Sequence, residues 1–298
     1  MDLFDHIKLE YQLNSDSLLE SYGIVNGLDE ILDPIYERVS DIIKSSSEND
    51  VIFSGEIVID GNESTFYDRL ILDLDIDTSS NPHRDAVYDY DCDDYVRISA
   101  SLYGSKLYIL SECKSLFAHE LTHAYEDISR KNNEPDYKRS TLKGSLDDYY
   151  TLALAIKKNK KYFLPITNKL MNIIYWLSPA EQNANLGRLE TEINDVAHQM
   201  FTYRWANLLV NKTELYSEFL SIKSDMNDVH KFSESDIMSI VKDINSKVNG
   251  IELTPNIVKQ LIKKFTIFLD RFEDKLKSNA ARMSYDLYQK RKIDWKLK

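Results

Sequence analysis

The chain has only two cysteines, Cys92 and Cys113, in 298 residues. That excludes a disulfide scaffold, and without a CxxC pair it excludes thiol redox chemistry and a cysteine-built zinc site, so a reducing compartment is expected. Glycine is scarce, 8 residues against 19 tyrosines, and with abundant Asn, Ile and Lys this is the composition of AT-rich genomes such as those of many bacteria and phages. Basic side chains are also in deficit. With 37 Lys and Arg against 49 Asp and Glu, the net charge is −12 and the isoelectric point near 5.0, which argues against nucleic acid or an anionic membrane as the main partner. A cationic substrate is compatible with that charge. Residues 1 to 20 lack the basic and apolar regions of a signal peptide, and no window has the apolar length to span a bilayer. An unexported chain is therefore expected, cytoplasmic or carried in a phage particle. What the sequence does have is 43% hydrophobic residues, enough for a substantial core in one large domain or two smaller ones.

The hydrophobic pattern changes along the chain. Residues 16 to 45 carry apolar positions at helical spacing, with Pro34 as the expected break. From residue 51 the period becomes two: "VIFSGEIVID" and "STFYDRLILDLDID" flank a Gly61-Asn62 turn, with Leu70, Leu72, Leu74 and Ile76 opposite Asp73, Asp75 and Asp77. "YVRISASLYGSKLYILS" reads as a second hairpin turning near Gly104-Ser105. Helices are then expected near 113–131, 145–158, 161–177, 178–211, 233–247 and 255–290, the last opened by Thr254-Pro255. No internal repeat or low-complexity linker interrupts them. The expected class is α+β: a helix, a sheet of about four strands, a central helix ending near 131, and a mainly helical part over 132–298, either two domains or one continuous domain.

The stretch with the most chemistry is "SLFAHELTHAYEDISR", residues 115 to 130. On a helix, His119 and His123 stand one turn apart on one face, so both imidazoles reach one Zn²⁺. Glu120, about 100° round, can then reach a water on that metal. Phe117, Leu121, Ala124 and Ile128 make a separate apolar stripe suited to the core, leaving the histidines off it.

A catalytic zinc needs a third protein ligand and an open position. Glu126 lies alongside His123 on the same helix and is poorly placed. "SPAEQNAN", residues 178 to 185, offers Glu181 on another helix. Ser178 and Glu181 also spell a capping box, which would occupy that carboxylate otherwise; Glu190, Glu192 and the acidic loop at 89–94 are the substitutes.

Together "HELTH" and, 58 residues later, "EQNAN" resemble the gluzincin metallopeptidases, in which HExxH is completed by a downstream glutamate. The likeness covers those two stretches only. It implies a zincin-like fold, His119, His123 and Glu181 as zinc ligands, Glu120 as general base, and a peptide or protein substrate. Asn185 stands where that family often has an aspartate orienting the first histidine; an amide oxygen can still accept an imidazole N–H. In zincin folds strands precede the HExxH helix, and "KLYILSE" read as a strand leads into it here.

Other features rank lower. "DYDCDD", 89 to 94, alternates Asp89, Asp91 and Asp93 but has Asp94 and Ala100 where an EF-hand needs glycine and glutamate. With Asp73, Asp75 and Asp77 it would favour a Lys- or Arg-rich substrate. His198, Tyr203, Arg204, Tyr149 and Tyr150 are available as oxyanion donors, though each residue type more often packs or faces solvent. The reading is thus a zinc metallopeptidase. The rival is a non-catalytic structural or interaction protein on a zincin scaffold, its long C-terminal helices binding a protein partner.

Overall fold

The computed structural model of the chain describes residues 28–45, 50–62, 65–89, 95–133, 141–199, 210–248 and 253–296. They divide into two compact units, one from Met1–Asp136 with Asn183–Phe201, the other from Tyr137–Gln182 with Thr202–Lys298. The protein is α+β, a four-stranded mixed sheet preceded by a helix and followed by a mostly helical part.

In the first unit, helix α1 (Leu28–Ser45) is followed by strands β1 (Ile52–Asp60), β2 (Arg69–Asp77), β3 (His83–Tyr88) and β4 (Val96–Tyr103), then helix α2 (Lys106–Asn133). The spatial order is β1-β2-β4-β3. β1 runs antiparallel to β2 and β3 antiparallel to β4, while β2 and β4 are parallel with Leu72 opposite Ile98. The chain leaves β2, forms the edge strand β3, and returns as β4 into the gap between them. Alternation sets one face inward: Leu70, Leu72, Leu74 and Ile76 of β2, with Val96, Ile98 and Leu102 of β4, are at most 2% exposed. Against this face lie Leu28, Ile31, Leu32, Ile35, Val39 and Ile43 of α1 and Ile109, Cys113, Phe117, Leu121 and Ala124 of α2. Each large side chain so buried contributes roughly 2 kcal/mol, against at most ~1 for an exposed ion pair such as Arg69–Asp60. The inner face therefore fixes the register of the unit.

The second unit contains α3 (Thr141–Lys158), a short 3₁₀ turn at Lys160–Tyr162, α4 (Pro165–Trp176), α6 (Glu214–Val229), α7 (Glu234–Asn245) and α8 (Pro255–Lys296); α5 (Pro179–Gln199) straddles the division. Pro165 opens α4, Thr213 caps α6 by accepting from the Tyr216 amide, and Ser233 with Asp236 forms a full capping box on α7. Trp176, Phe219 and Phe272 meet in its core, the Trp176 and Phe272 rings edge to face at 5.3 Å. Among the described residues no helix is long and apolar enough to cross a membrane.

Several expectations are corrected. "KLYILS" is the start of α2 rather than a strand: Gly104 ends β4 at φ +127°, and Ser105 accepts from the Tyr108 amide at 3.2 Å as an N-cap. The fourth strand is "HRDAVY", β3. Helix α1 runs through Pro34. α6 occupies a stretch where no helix was expected, although Leu215, Phe219, Ile222, Met226 and Val229 are buried at helical spacing. α4 begins at Pro165, four residues into the expected 161–177 helix. Residues 1–27, the Cys92 loop and 200–209, with Tyr203 and Arg204, lie outside the described residues, as do the side chains of Glu126 and His198.

Candidate metal centre

The helix that carries HELTH is 28 residues long and continuous. Its stripe of Ile109, Cys113, Phe117, Leu121 and Ala124 is buried on the sheet, which turns the next face, with His119 and His123, away from that core. The two rings lie 4.9 Å apart between centroids at 81° to each other. His123 and Glu120 are each 6% exposed, and His119 is half-buried.

Edge strand β3 lies along this helix and is tied to it at intervals. Near its start Arg84 pairs with Glu112 and donates to Ser115 Oγ at 3.0 Å. At its end the Tyr88 amide donates to Glu120 Oε2 at 2.8 Å, and the Tyr88 hydroxyl donates to Asp127 Oδ2 at 3.0 Å. One oxygen of Glu120 is therefore held by a backbone N–H. The other, Oε1, lies 4.0 Å from His119 Nε2.

Glu181 sits in the first turn of α5, whose body from Asn183 onward belongs to the unit that carries α2. It is 3% exposed. One nitrogen each from His119 and His123 and one oxygen from Glu181 all lie within 4.8 Å of one another. Tetrahedral zinc with bonds of ~2.1 Å sets its ligand atoms about 3.4 Å apart, so contraction by side-chain rotation suffices to close the group on an ion. Among the described residues this is the group of His, Cys, Asp and Glu suited to hold a metal. The ion's identity is not fixed by it.

The capping expectation is half realised. The Glu181 amide donates to Ser178 Oγ at 3.4 Å, while Glu181 Oε1 accepts from the Tyr150 hydroxyl at 3.2 Å. Tyr150 is itself held by stacking on Tyr175, ring centroids 5.6 Å apart. The substitutes are not in the group: Glu192 accepts from Arg188 Nε at 2.5 Å in a buried i, i+4 pair, and Glu190 lies elsewhere on α5. Asn185 is 2% exposed with its Nδ2 unpartnered. Burial pushes the Cys113 thiol up to about 12, leaving it inert as a ligand or nucleophile.

Helix α5 approaches α2 closely at Gly187. A Cβ built there would lie 2.3 Å from Thr122 Oγ1, and that hydroxyl donates to Ala118 O at 2.8 Å. Thr122 is the residue before His123, so the contact fixes α5 against the turn that carries the two histidines. Gly187→Ala gains ~1 kcal/mol of helix propensity but forces Thr122 off its bond or the helices apart, at a cost of about 1–3 kcal/mol. The expected result is a net loss of stability with weakened metal binding, reversed by adding Thr122→Ala. A single variant as stable as the parent in a chemical melt would show that the approach is not tight.

Of the residues now seen at the site, Tyr88 and Tyr150 have different origins in the sequence. Tyr150 was among the candidate donors, whereas Tyr88 acts through its backbone amide, which leaves no side-chain signature. No protein-family model matches the chain, and no curated protein or solved structure is significantly similar to it.

Proposed function

We propose that the chain is a zinc metallopeptidase of gluzincin type. The observation that carries the reading is the convergence of His119, His123 and Glu181 donor atoms to within 4.8 Å, with the buried carboxylate of Glu120 beside them. Two imidazoles and one carboxylate are a donor set that suits Zn²⁺ and leaves a fourth position open. His119, His123 and Glu181 would hold the metal, which when bound would acidify a water and polarise the scissile carbonyl. Glu120 would act as general base through Oε1, with Oε2 kept on the Tyr88 amide, taking a proton from the attacking water and handing it to the departing amine nitrogen. Tyr150 orients Glu181 through its hydroxyl.

Protein purified without a histidine tag is expected to contain about one zinc per chain by elemental analysis. It should hydrolyse an unstructured protein such as casein, lose that activity to 1,10-phenanthroline, and regain it on addition of zinc. No bound metal would end the reading. Stoichiometric metal with no hydrolysis across unstructured substrates would instead assign the chain a binding or scaffolding role.

A further inference from the structure

We propose that the outer face of the sheet, the side turned away from α1 and α2, is a docking surface for a Lys- or Arg-rich polypeptide segment of a protein partner. The alternation that buries Leu70 to Ile76 leaves the odd-numbered residues of β2 and β4 and the even-numbered residues of β1 on the opposite side. That side carries six carboxylates against two arginines. The arginines are already engaged, Arg97 with Asp73 and Glu56, Arg69 with Asp60. The surplus is negative, with Asp75 and Asp85 at the centre of the face and Asp77 at the end of β2, where it accepts from Ser79 and Ser80.

The centre is also hollow. Across the strands Ser54 pairs with Asp75, Asp75 with Ser101, and Ser101 with Asp85, so two carboxylates flank a serine. At ~4.8 Å per strand their backbones stand about 9.6 Å apart, room for one ammonium or guanidinium head between them. Ser54, Ser99 and Ser101 make the floor low, giving a depression of ≈ 460 Å³. Asp75 accepts from the Tyr103 hydroxyl at 2.5 Å, and Asp85 has no basic partner among the described residues.

The rest of the face is not a plain solvated surface. Ile52, Val58 and Val87 lie on it at 77%, 46% and 52% exposure, Val87 lining the acidic depression and the other two outside it. Single cations would use only the carboxylates, whereas a basic polypeptide segment uses both, through its lysine or arginine heads and its aliphatic stems. Such a partner also complements the net charge of −12, which steers basic chains in and repels acidic ones.

The test is fluorescence anisotropy with a labelled octapeptide of alternating lysine and valine, and the same peptide with glutamine for lysine, on the full chain. The lysine peptide is expected to bind, the glutamine peptide not, and binding to weaken with salt. Asp75→Asn with Asp85→Asn should weaken it about 10-fold, whereas Asp270→Asn with Asp274→Asn, an equal loss of charge on α8, should change it less than about 2-fold. Ser101→Lys leaves every carboxylate in place but fills the hollow with a cation, and should block binding as well, which covers the case in which the double variant misfolds. Equal losses in both double variants would reduce the effect to diffuse attraction and overturn the proposal. So would calorimetric binding of Ca²⁺ that the face variant abolishes while the peptide fails to bind the parent.

Discussion

Under the proposed peptidase reading, Glu120→Gln is expected to keep bound zinc and to lose peptide hydrolysis by roughly 10²- to 10⁴-fold, the range that a positioned general base contributes. The two oxygens of Glu120 explain why metal and turnover should separate. Oε2 accepts from the Tyr88 amide, and a glutamine carbonyl can keep that bond, so the side chain stays seated and β3 stays attached to α2. Oε1 is then replaced by an NH₂ group, which donates where the reaction needs an acceptor. His119, His123 and Glu181 are untouched. The measurement is kcat on a quenched peptide, taken with zinc content and thermal melting on the same samples. Loss of metal in this variant would move Glu120 into the ligand set, and unchanged turnover would remove it from the chemistry.

How much of this was legible depended on whether a residue acts through its side-chain pattern or through its backbone. HELTH was readable because helical spacing alone places both imidazoles on one face, and the buried stripe of Phe117, Leu121 and Ala124 follows the same period. Glu181 was singled out by the resemblance alone, with Glu190, Glu192 and the acidic loop as substitutes, because spacing cannot say whether the first turn of a helix faces a site 58 residues upstream. The start of α2 was misread because Leu107 and Ile109 alternate as well as a strand would. The discriminating signal lay further on, in Ile109, Cys113 and Phe117 at four-residue steps, and Leu107 is in fact 81% exposed. Strand β3 was missed for the opposite reason: it puts His83 and Asp85 on one side and Arg84 on the other, so no hydrophobic alternation announces it. That polar strand nevertheless holds Glu120, and its role appears only once α2 is in place to receive it.

Under the proposed zinc-site reading, affinity across a set of variants should fall in steps that follow each residue's role, as ligand, as hydrogen-bond partner of a ligand, or as helix cap. His119→Ala and His123→Ala remove a nitrogen donor outright, and no zinc is expected to survive dialysis in either. Glu181→Gln exchanges an anionic oxygen for a neutral amide. Because changes just outside the ligand set cost about 10- to 100-fold in metal affinity, a ligand change should exceed about 100-fold. Tyr150→Phe deletes the hydroxyl that donates to Glu181 Oε1 and should fall within that 10- to 100-fold window. Ser178→Ala removes the acceptor of the Glu181 amide, 3.4 Å long, and should cost about 1 kcal/mol of stability with little change in affinity. Competition with a chelator gives the affinities, and melts of the metal-free proteins separate capping from ligation. The ordering matters more than any single value. A capping residue would make Glu181→Gln nearly silent, since glutamine also suits that helical position; a ligand makes it the largest effect after the histidines. Unchanged affinity in Glu181→Gln would leave the two-histidine half of the centre standing and remove the carboxylate that completes it.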